Sequence, residues 1–209
     1  MSFREMSLGN FVRDLSGGEP APGGGCAAAL AGGLAAALVA MVARLTVGRR
    51  KYAEVGPEME LARDKADRLA ERLLNLVDLD AASYGRVMAA HGLPRDDEVQ
   101  RERRRQAVDE ALKGAAAPPL ETLRAAFEAL ELVDIVLERG NANCLTDAAA
   151  AMQLIRAAAL GASYNVRINL LGTSDGRFKD AILAETASLV DRVKAEVDRM
   201  GARVERVLG

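Results

Sequence analysis

The 209 residues carry 28 basic and 30 acidic side chains, a formal charge of −2, so no overall field favours a nucleic-acid backbone or an anionic membrane and any anion binding has to be local. Half the residues are hydrophobic but only 3% are aromatic, which leaves the core to Ala, Leu, Val and Met, strong helix formers apart from Val. One histidine and two cysteines cannot build a His-based triad or a zinc site of usual spacing.

The length fits one large domain, 1–209. The opening MSFREMSLGN lacks the apolar run of a signal peptide, and with two cysteines in the chain a reducing, cytoplasmic compartment is expected. Arg4 to Leu15 predicts a short amphipathic helix with Met6, Phe11 and Leu15 turned inward, stopped by Ser16-Gly17-Gly18. Glu19-Pro20-Ala21-Pro22-Gly23-Gly24-Gly25 then combines two fixed proline φ angles with three unrestricted glycines. A helix is expected from Cys26 to about Val47. Its first 18 residues, Cys26 to Ala43, hold no charge and approach the length of a membrane span. They are mostly Ala and Gly, however, which gain little from lipid, so burial inside a helical protein is the expected fate and no membrane partner is called for.

Gly48-Arg49-Arg50-Lys51-Tyr52 reads as a basic connector, and Pro57 stands near the start of a long helix reaching about Ala90. Ala62, Ala66, Leu69, Leu73, Val77, Tyr84 and Met88 recur along it at helical steps, and Asp80 falls on the same stripe. Gly92-Leu93-Pro94 breaks the pattern. Asp96 to Lys113 predicts an exposed helix with Val99, Ala107 and Leu112 inward, and Pro118-Pro119 interrupts or starts a helix that runs to about Arg139. The loop Asn141 to Asp147 leads into a second small-residue helix ending near Leu171, and a last helix covers about Arg177 to Val207. No stretch alternates like a strand. The expected fold is all-α, a multihelical bundle of six to seven helices.

Four places could carry chemistry. The glycines Gly23, Gly24 and Gly25 precede a helix whose free N–H groups and dipole suit an anion or a polarised carbonyl; taken alone, they are explained more simply by a tight turn with close helix packing. Gly48-Arg49-Arg50-Lys51 could hold a carboxylate, for which Arg has the bidentate geometry, or could be cations favoured at a helix C-terminus. Asp147, Ala151, Leu154, Ala158, Ala162, Asn165 and Asn169 share one helical face, which suggests a polar groove, although the Asn side chains could cap neighbours or bridge an interface. Asp80 is either a buried acid/base carboxylate or a core carboxylate paired with an Arg. Cys144 lacks a nearby His base and reads as a packed or ligand-lining thiol. His91, at a helix end beside Gly92, reads as a surface residue.

Taken together, Glu19 to Gly25, Met41-Val42 with Leu45-Thr46 and Gly48-Arg49-Arg50, Val77-Asp78-Leu79-Asp80-Ala81, Gly140-Asn141 with Cys144-Leu145 and Asp147, and Gly161-Ala162 with Asn165-Val166 and Ile168-Asn169 resemble the cyclodeaminase/cyclohydrolase family over essentially the whole chain. Cys26 departs from the pattern, in which Ser often follows the glycines. The resemblance implies a homodimer and a tetrahydrofolate derivative bound in a cleft near the subunit interface, with no metal and no cofactor beyond that substrate.

It further implies a methenyltetrahydrofolate cyclohydrolase, which opens 5,10-methenyltetrahydrofolate to 10-formyltetrahydrofolate. The alternatives are a formiminotetrahydrofolate cyclodeaminase releasing ammonia and a non-catalytic helical assembly protein that binds folate. In that frame Asp147 and Asp80 are the expected acid and base. Asn143, Asn165 and Asn169 would hold the pterin edge beside Cys144, and Arg49 or Arg50 the glutamate tail. Gly23, Gly24 and Gly25 would form a wall of the cleft, and Gly24→Val is expected to abolish folate binding without unfolding the protein.

Overall fold

A computed structural model describes residues 2–209. Among them are six α-helices, two short 3-10 turns and no strand. The first helix, α1 (Leu8–Leu15), starts later than the periodicity suggests. The Ser7 hydroxyl accepts from the Asn10 N–H and caps it there. Phe11 is buried as expected, while Leu15 is exposed.

Five long helices follow: α2 (Gly24–Thr46), α3 (Gly56–His91), α4 (Glu98–Arg139), α5 (Leu145–Leu171) and α6 (Gly176–Leu208). Side-chain pairs fix their directions. Arg44 meets Asp67, so α3 runs antiparallel to α2. Arg139 pairs with Glu58 and Arg72 with Glu128, turning α4 back again. Asn169 meets the carbonyl of Ala115 and Arg156 meets Asp198, so α5 and α6 complete an up-and-down bundle. The helix α2 packs on α3, α4 and α5 and forms its centre. By length and composition Gly24–Thr46 could cross a membrane, yet Cys26, Ala29, Ala35, Ala36, Val39 and Val42 lie fully inside the bundle.

Small residues make that centre possible. A β-carbon on Gly32 would stand 3.0 Å from a Leu73 methyl and 3.5 Å from the Ala158 β-carbon, so the bare Gly32 makes room for a leucine of α3 and lets α5 approach closely. Large side chains such as Leu73, Leu123, Met152 and Ile155 fill the surrounding space.

Three expectations need correction. Ala62, Ala66, Leu69, Leu73 and Val77 are buried, but Tyr84 and Met88 are exposed, and Ser83, Val87 and Ala90 are covered instead. The register of burial changes where α3 runs past the start of α2, because its original partner has ended. Val99 is 79% exposed rather than inward, while Ala107 and Leu112 are half-buried. Pro118 and Pro119 neither break nor start a helix. Both are buried inside the 42-residue α4. Pro119 has no N–H for the Ala115 carbonyl, and Asn169 Nδ2 donates to that carbonyl at 2.8 Å in its place.

Candidate functional site

The start of α2 places one group of candidate residues. Gly23 is the N-cap residue and supplies no side-chain cap, so the first N–H groups of the helix need partners from elsewhere. Asp80, on α3, provides one. Its half-buried carboxyl accepts from the Cys26 N–H, and the Cys26 thiol lies 3.4 Å from Asp80 Oδ2. Gly25 is buried directly beneath this carboxyl, and a β-carbon at Gly25 would collide with both of its oxygens and its Cγ. Burial raises Asp80 above the usual carboxylate range, while hydrogen bonding from the Cys26 thiol and N–H pulls more weakly the other way.

Asn165 joins this group from α5. Its Nδ2 would touch a β-carbon on Gly24 at 3.6 Å, an ordinary contact, and it donates to the Gly161 carbonyl at 2.8 Å. Gly24 is exposed. Packing within the chain therefore excludes a side chain at Gly25 and leaves room for one at Gly24. One turn further along α5, Asn169 points its amide at Ala115. Its N–H group is thereby engaged in supporting α4.

The other end of α2 gathers the remaining candidates. Thr46 Oγ1 donates to the Val42 carbonyl at 2.7 Å and accepts from the Asn141 N–H at 2.9 Å. Asn141, buried, also sends Nδ2 to the Leu45 carbonyl at 3.1 Å and accepts from the Asn143 N–H at 3.2 Å. The Tyr52 hydroxyl receives the Ala142 N–H at 3.0 Å. This latch fixes the Asn141 loop against the α2 C-terminus, with Cys144 buried, Asn143 exposed and Asp147 half-buried in the first turn of α5. Arg49 and Arg50 are exposed on the connector that follows α2, and Gly48 turns the chain there with φ +77°.

Within one chain these two groups are far apart. The 23 residues of α2 span about 34 Å at the usual helical rise. Gly23, Gly24, Gly25, Asp80, Asn165 and Asn169 stand at one end, and Arg49, Arg50, Asn143, Cys144 and Asp147 at the other. The face of α5 between Asp147 and Asn165 is not a polar groove. Ala151, Ala158 and Ala162 are fully buried there. Asp80 has no Arg partner; a thiol and a helix N-terminus face it instead.

Two elements of this arrangement were not read from the sequence, namely the contact of Cys26 with Asp80 and the latch made by Thr46, Tyr52 and Asn141. The second left a signal, an Asn immediately before a short helical turn. A cavity of about 600 Å³ lies near neither group's centre, lined by His91, Arg95, Arg101, Arg104, Arg105 and Asp109 among others. Its arginines are partly neutralised, since Arg101 pairs with Glu98 and Arg105 with Glu102. Among the described residues no cluster of His, Cys, Asp and Glu is arranged to hold a metal ion.

Comparison with known proteins follows the same outline. Residues 7–188 match the family model described as formiminotransferase-cyclodeaminase. A methenyltetrahydrofolate cyclohydrolase of Methylorubrum extorquens is 34% identical, with 93% of each chain covered. A formimidoyltransferase-cyclodeaminase of Rattus norvegicus is 32% identical over 93% of this chain, which spans 36% of that protein's length. The crystal structure of a formiminotetrahydrofolate cyclodeaminase from Thermotoga maritima superposes with a TM-score of 0.89 at 27% identity, covering 98% of both chains.

Proposed function

The chain belongs to the formiminotransferase-cyclodeaminase family, and from that premise we propose that it is a methenyltetrahydrofolate cyclohydrolase. The carrying observation is the relative of that name in Methylorubrum extorquens, which this chain matches along nearly the full length of both. In the reaction, water adds to the cationic methenyl carbon and gives up a proton to a base. The resulting hydroxyl-bearing carbon closes to a formyl group as its bond to N5 breaks, N5 takes a proton, and one proton is released overall. The substrate carbon is already electrophilic, so the protein's tasks are to orient it, to position the water and to move protons.

Asp80 suits the base. A carboxylate held above its ordinary pKa range is a better proton acceptor near neutral pH than an exposed one. The accessible backbone of Gly23 and Gly24 lets a flat ring approach the α2 terminus beside Asn165.

The second half of the site comes, in this proposal, from a second copy. The outward face of α2, along Ala27, Leu30, Leu34, Ala37, Met41 and Leu45, is uncharged, and Leu34 remains 45% exposed. A two-fold axis through the middle of that face would lay α2 antiparallel on its copy. The glycine turn of each protomer would then meet the Arg49 to Arg50 connector and the Asn143 to Asp147 loop of the other. Asp147 would protonate N5, Asn143 would hold the pterin edge beside Cys144, and Arg49 and Arg50 would hold the substrate's glutamate carboxylates.

A second reading rests on the Thermotoga maritima structure, whose name is that of a cyclodeaminase. In that case N10 attacks the formimino carbon and the carbon–nitrogen bond to ammonia breaks. Two assays on the purified protein separate the readings. Accelerated loss of methenyltetrahydrofolate absorbance, above the spontaneous rate, is the expected result. Ammonia release from 5-formiminotetrahydrofolate without that acceleration would replace the first reading by the second, and neither activity would leave a binding protein.

A further inference from the structure

At the junction of α2 and α3, the buried thiol of Cys26 is 3.4 Å from two acceptors at once, the Val77 carbonyl oxygen and Asp80 Oδ2. The first is a main-chain group fixed by α3, while the second belongs to a side chain that can turn. A thiol has one proton to donate. It is shared between a fixed anchor and the carboxyl on which the proposed reaction depends.

The surroundings leave little else to govern that carboxyl. From α2 it faces Cys26 and the Cα of Gly25. From α5 the uncharged amide of Asn165 lies against the neighbouring Gly24. On α3 itself, the Ser83 hydroxyl donates to the Asp80 main-chain carbonyl at 2.7 Å, not to the carboxyl. Burial displaces Asp80 upward from ordinary carboxylate behaviour, the two groups of Cys26 oppose it, and no cation takes part. Burial pushes the Cys26 thiol up to about 12. It therefore stays protonated, a donor throughout the working pH range.

Accordingly, we propose that Cys26 is a positioning residue for the reaction: by dividing its thiol proton between Val77 and Asp80, it sets both the direction of the Asp80 carboxyl and its readiness to accept a proton from water. This rests on the reading of Asp80 as the base. The thiol itself touches no substrate, being fully buried. A weak donor in this position tethers the carboxyl without stabilising its ionised form strongly. A hydroxyl would hold the anion more tightly and make it a poorer base, and a methyl group would leave it only the main-chain N–H of residue 26.

The test is a matched series of wild type, Cys26→Ser and Cys26→Ala. The Asp80 carboxyl is titrated by carbon-13 NMR, its signal identified by its disappearance in Asp80→Asn, and the pH–rate profile for methenyl hydrolysis is recorded on the same proteins. The midpoint is expected to be lowest in Cys26→Ser and highest in Cys26→Ala, with steps of about half a pH unit, because a hydrogen bond to the charged form lowers a carboxyl pKa in proportion to its strength. The acidic limb of the rate profile should follow in the same order. Cys26→Ser should keep turnover within a few-fold of wild type, while Cys26→Ala should lose about ten-fold at equal ionisation of Asp80, since a mis-aimed base loses orientation. Circular dichroism and melting temperature establish that each variant is folded. Coincident midpoints would overturn the proposal at the contact itself. Ordered midpoints with an unmoved limb would overturn it through Asp80, removing that residue from the chemistry.

Discussion

Gly25 and Asp80 are in contact through the bare Cα of one and the carboxyl of the other, with no room for a β-carbon between them. Since Asp80 also serves the N–H of Cys26, the missing side chain at Gly25 is what allows α3 to deliver a carboxyl to the end of α2. Gly25→Ala is therefore expected to displace the carboxyl and reduce turnover by about 100-fold, the scale of a displaced catalytic group. Gly24→Ala, whose methyl would meet only the Asn165 amide within the chain, should leave the carboxyl in place and kcat near wild type, and raise KM instead, because the methyl stands where the ring approaches. Steady-state kinetics on the two variants, with circular dichroism as a control for folding, checks the contrast.

The raised pKa of Asp80 has two consequences of defined sign. As a base it must be ionised, so turnover should fall as pH drops through its folded pKa, at a higher pH than an ordinary carboxylate would give. Asp80→Asn should eliminate that limb along with most of the rate. For stability, a folded pKa above the unfolded one means a contribution fully present below the unfolded value and lost as pH rises through the folded value. Asn keeps a neutral group at every pH. Asp80→Asn should therefore gain stability relative to wild type as pH rises through that window, read from urea unfolding of both proteins in acidic and neutral buffer. An unchanged difference between the two buffers would contradict the raised value.

Asn169 is expected to matter for stability through Pro119. Removing its amide leaves the Ala115 carbonyl, which Pro119 cannot serve, without its donor. Asn169→Ala should cost about 1–3 kcal/mol. In the Pro119→Ala background the carbonyl recovers a main-chain donor, so the cost of Asn169→Ala should shrink. A double-mutant cycle by denaturant unfolding measures the coupling, and additive costs would remove this explanation of Asn169.

Complementation tests the two-protomer site. Asp80→Asn and Asp147→Asn should each be inactive alone. If each site takes Asp80 from one chain and Asp147 from the other, mixed dimers carry one intact site out of two. An equal mixture that exchanges subunits freely should then recover about a quarter of wild-type activity. Leu34→Glu, placing a charge on the outward face of α2, should yield monomers in analytical ultracentrifugation with little turnover. Full activity in a Leu34→Glu monomer would exclude the shared site.

Much of the helical frame could be read from the chain itself, because the spacing of Ala62 through Val77 and the glycine and proline boundaries are local signals. The failures arose where a distant partner decides the outcome. Tyr84 and Met88 continue the stripe in sequence but lie beyond the start of α2, so they stay exposed. Pro119 is tolerated because Asn169, fifty residues later, repairs α4. Asp80 stood out as a carboxylate on an apolar stripe, yet its partners, a thiol and the Cα of a glycine, could not be named without the crossing of α2 and α3. Above all, motif order along the chain says nothing about which end of an antiparallel bundle each motif occupies. The candidates therefore read as one cleft, whereas in a single chain they stand at the two ends of α2.

The bare face of α2 also bears on how the protein is made. Its segment is complete at Thr46, whereas α5, which covers it from another side, begins at Leu145. At synthesis rates of about 5–20 residues per second, the intervening stretch takes roughly 5–20 s. Throughout that interval a helix whose one charged side chain is Arg44 stands in water with α3 as its first available neighbour, so the nascent chain has a long opportunity to bind chaperones or other apolar surfaces before the bundle can close.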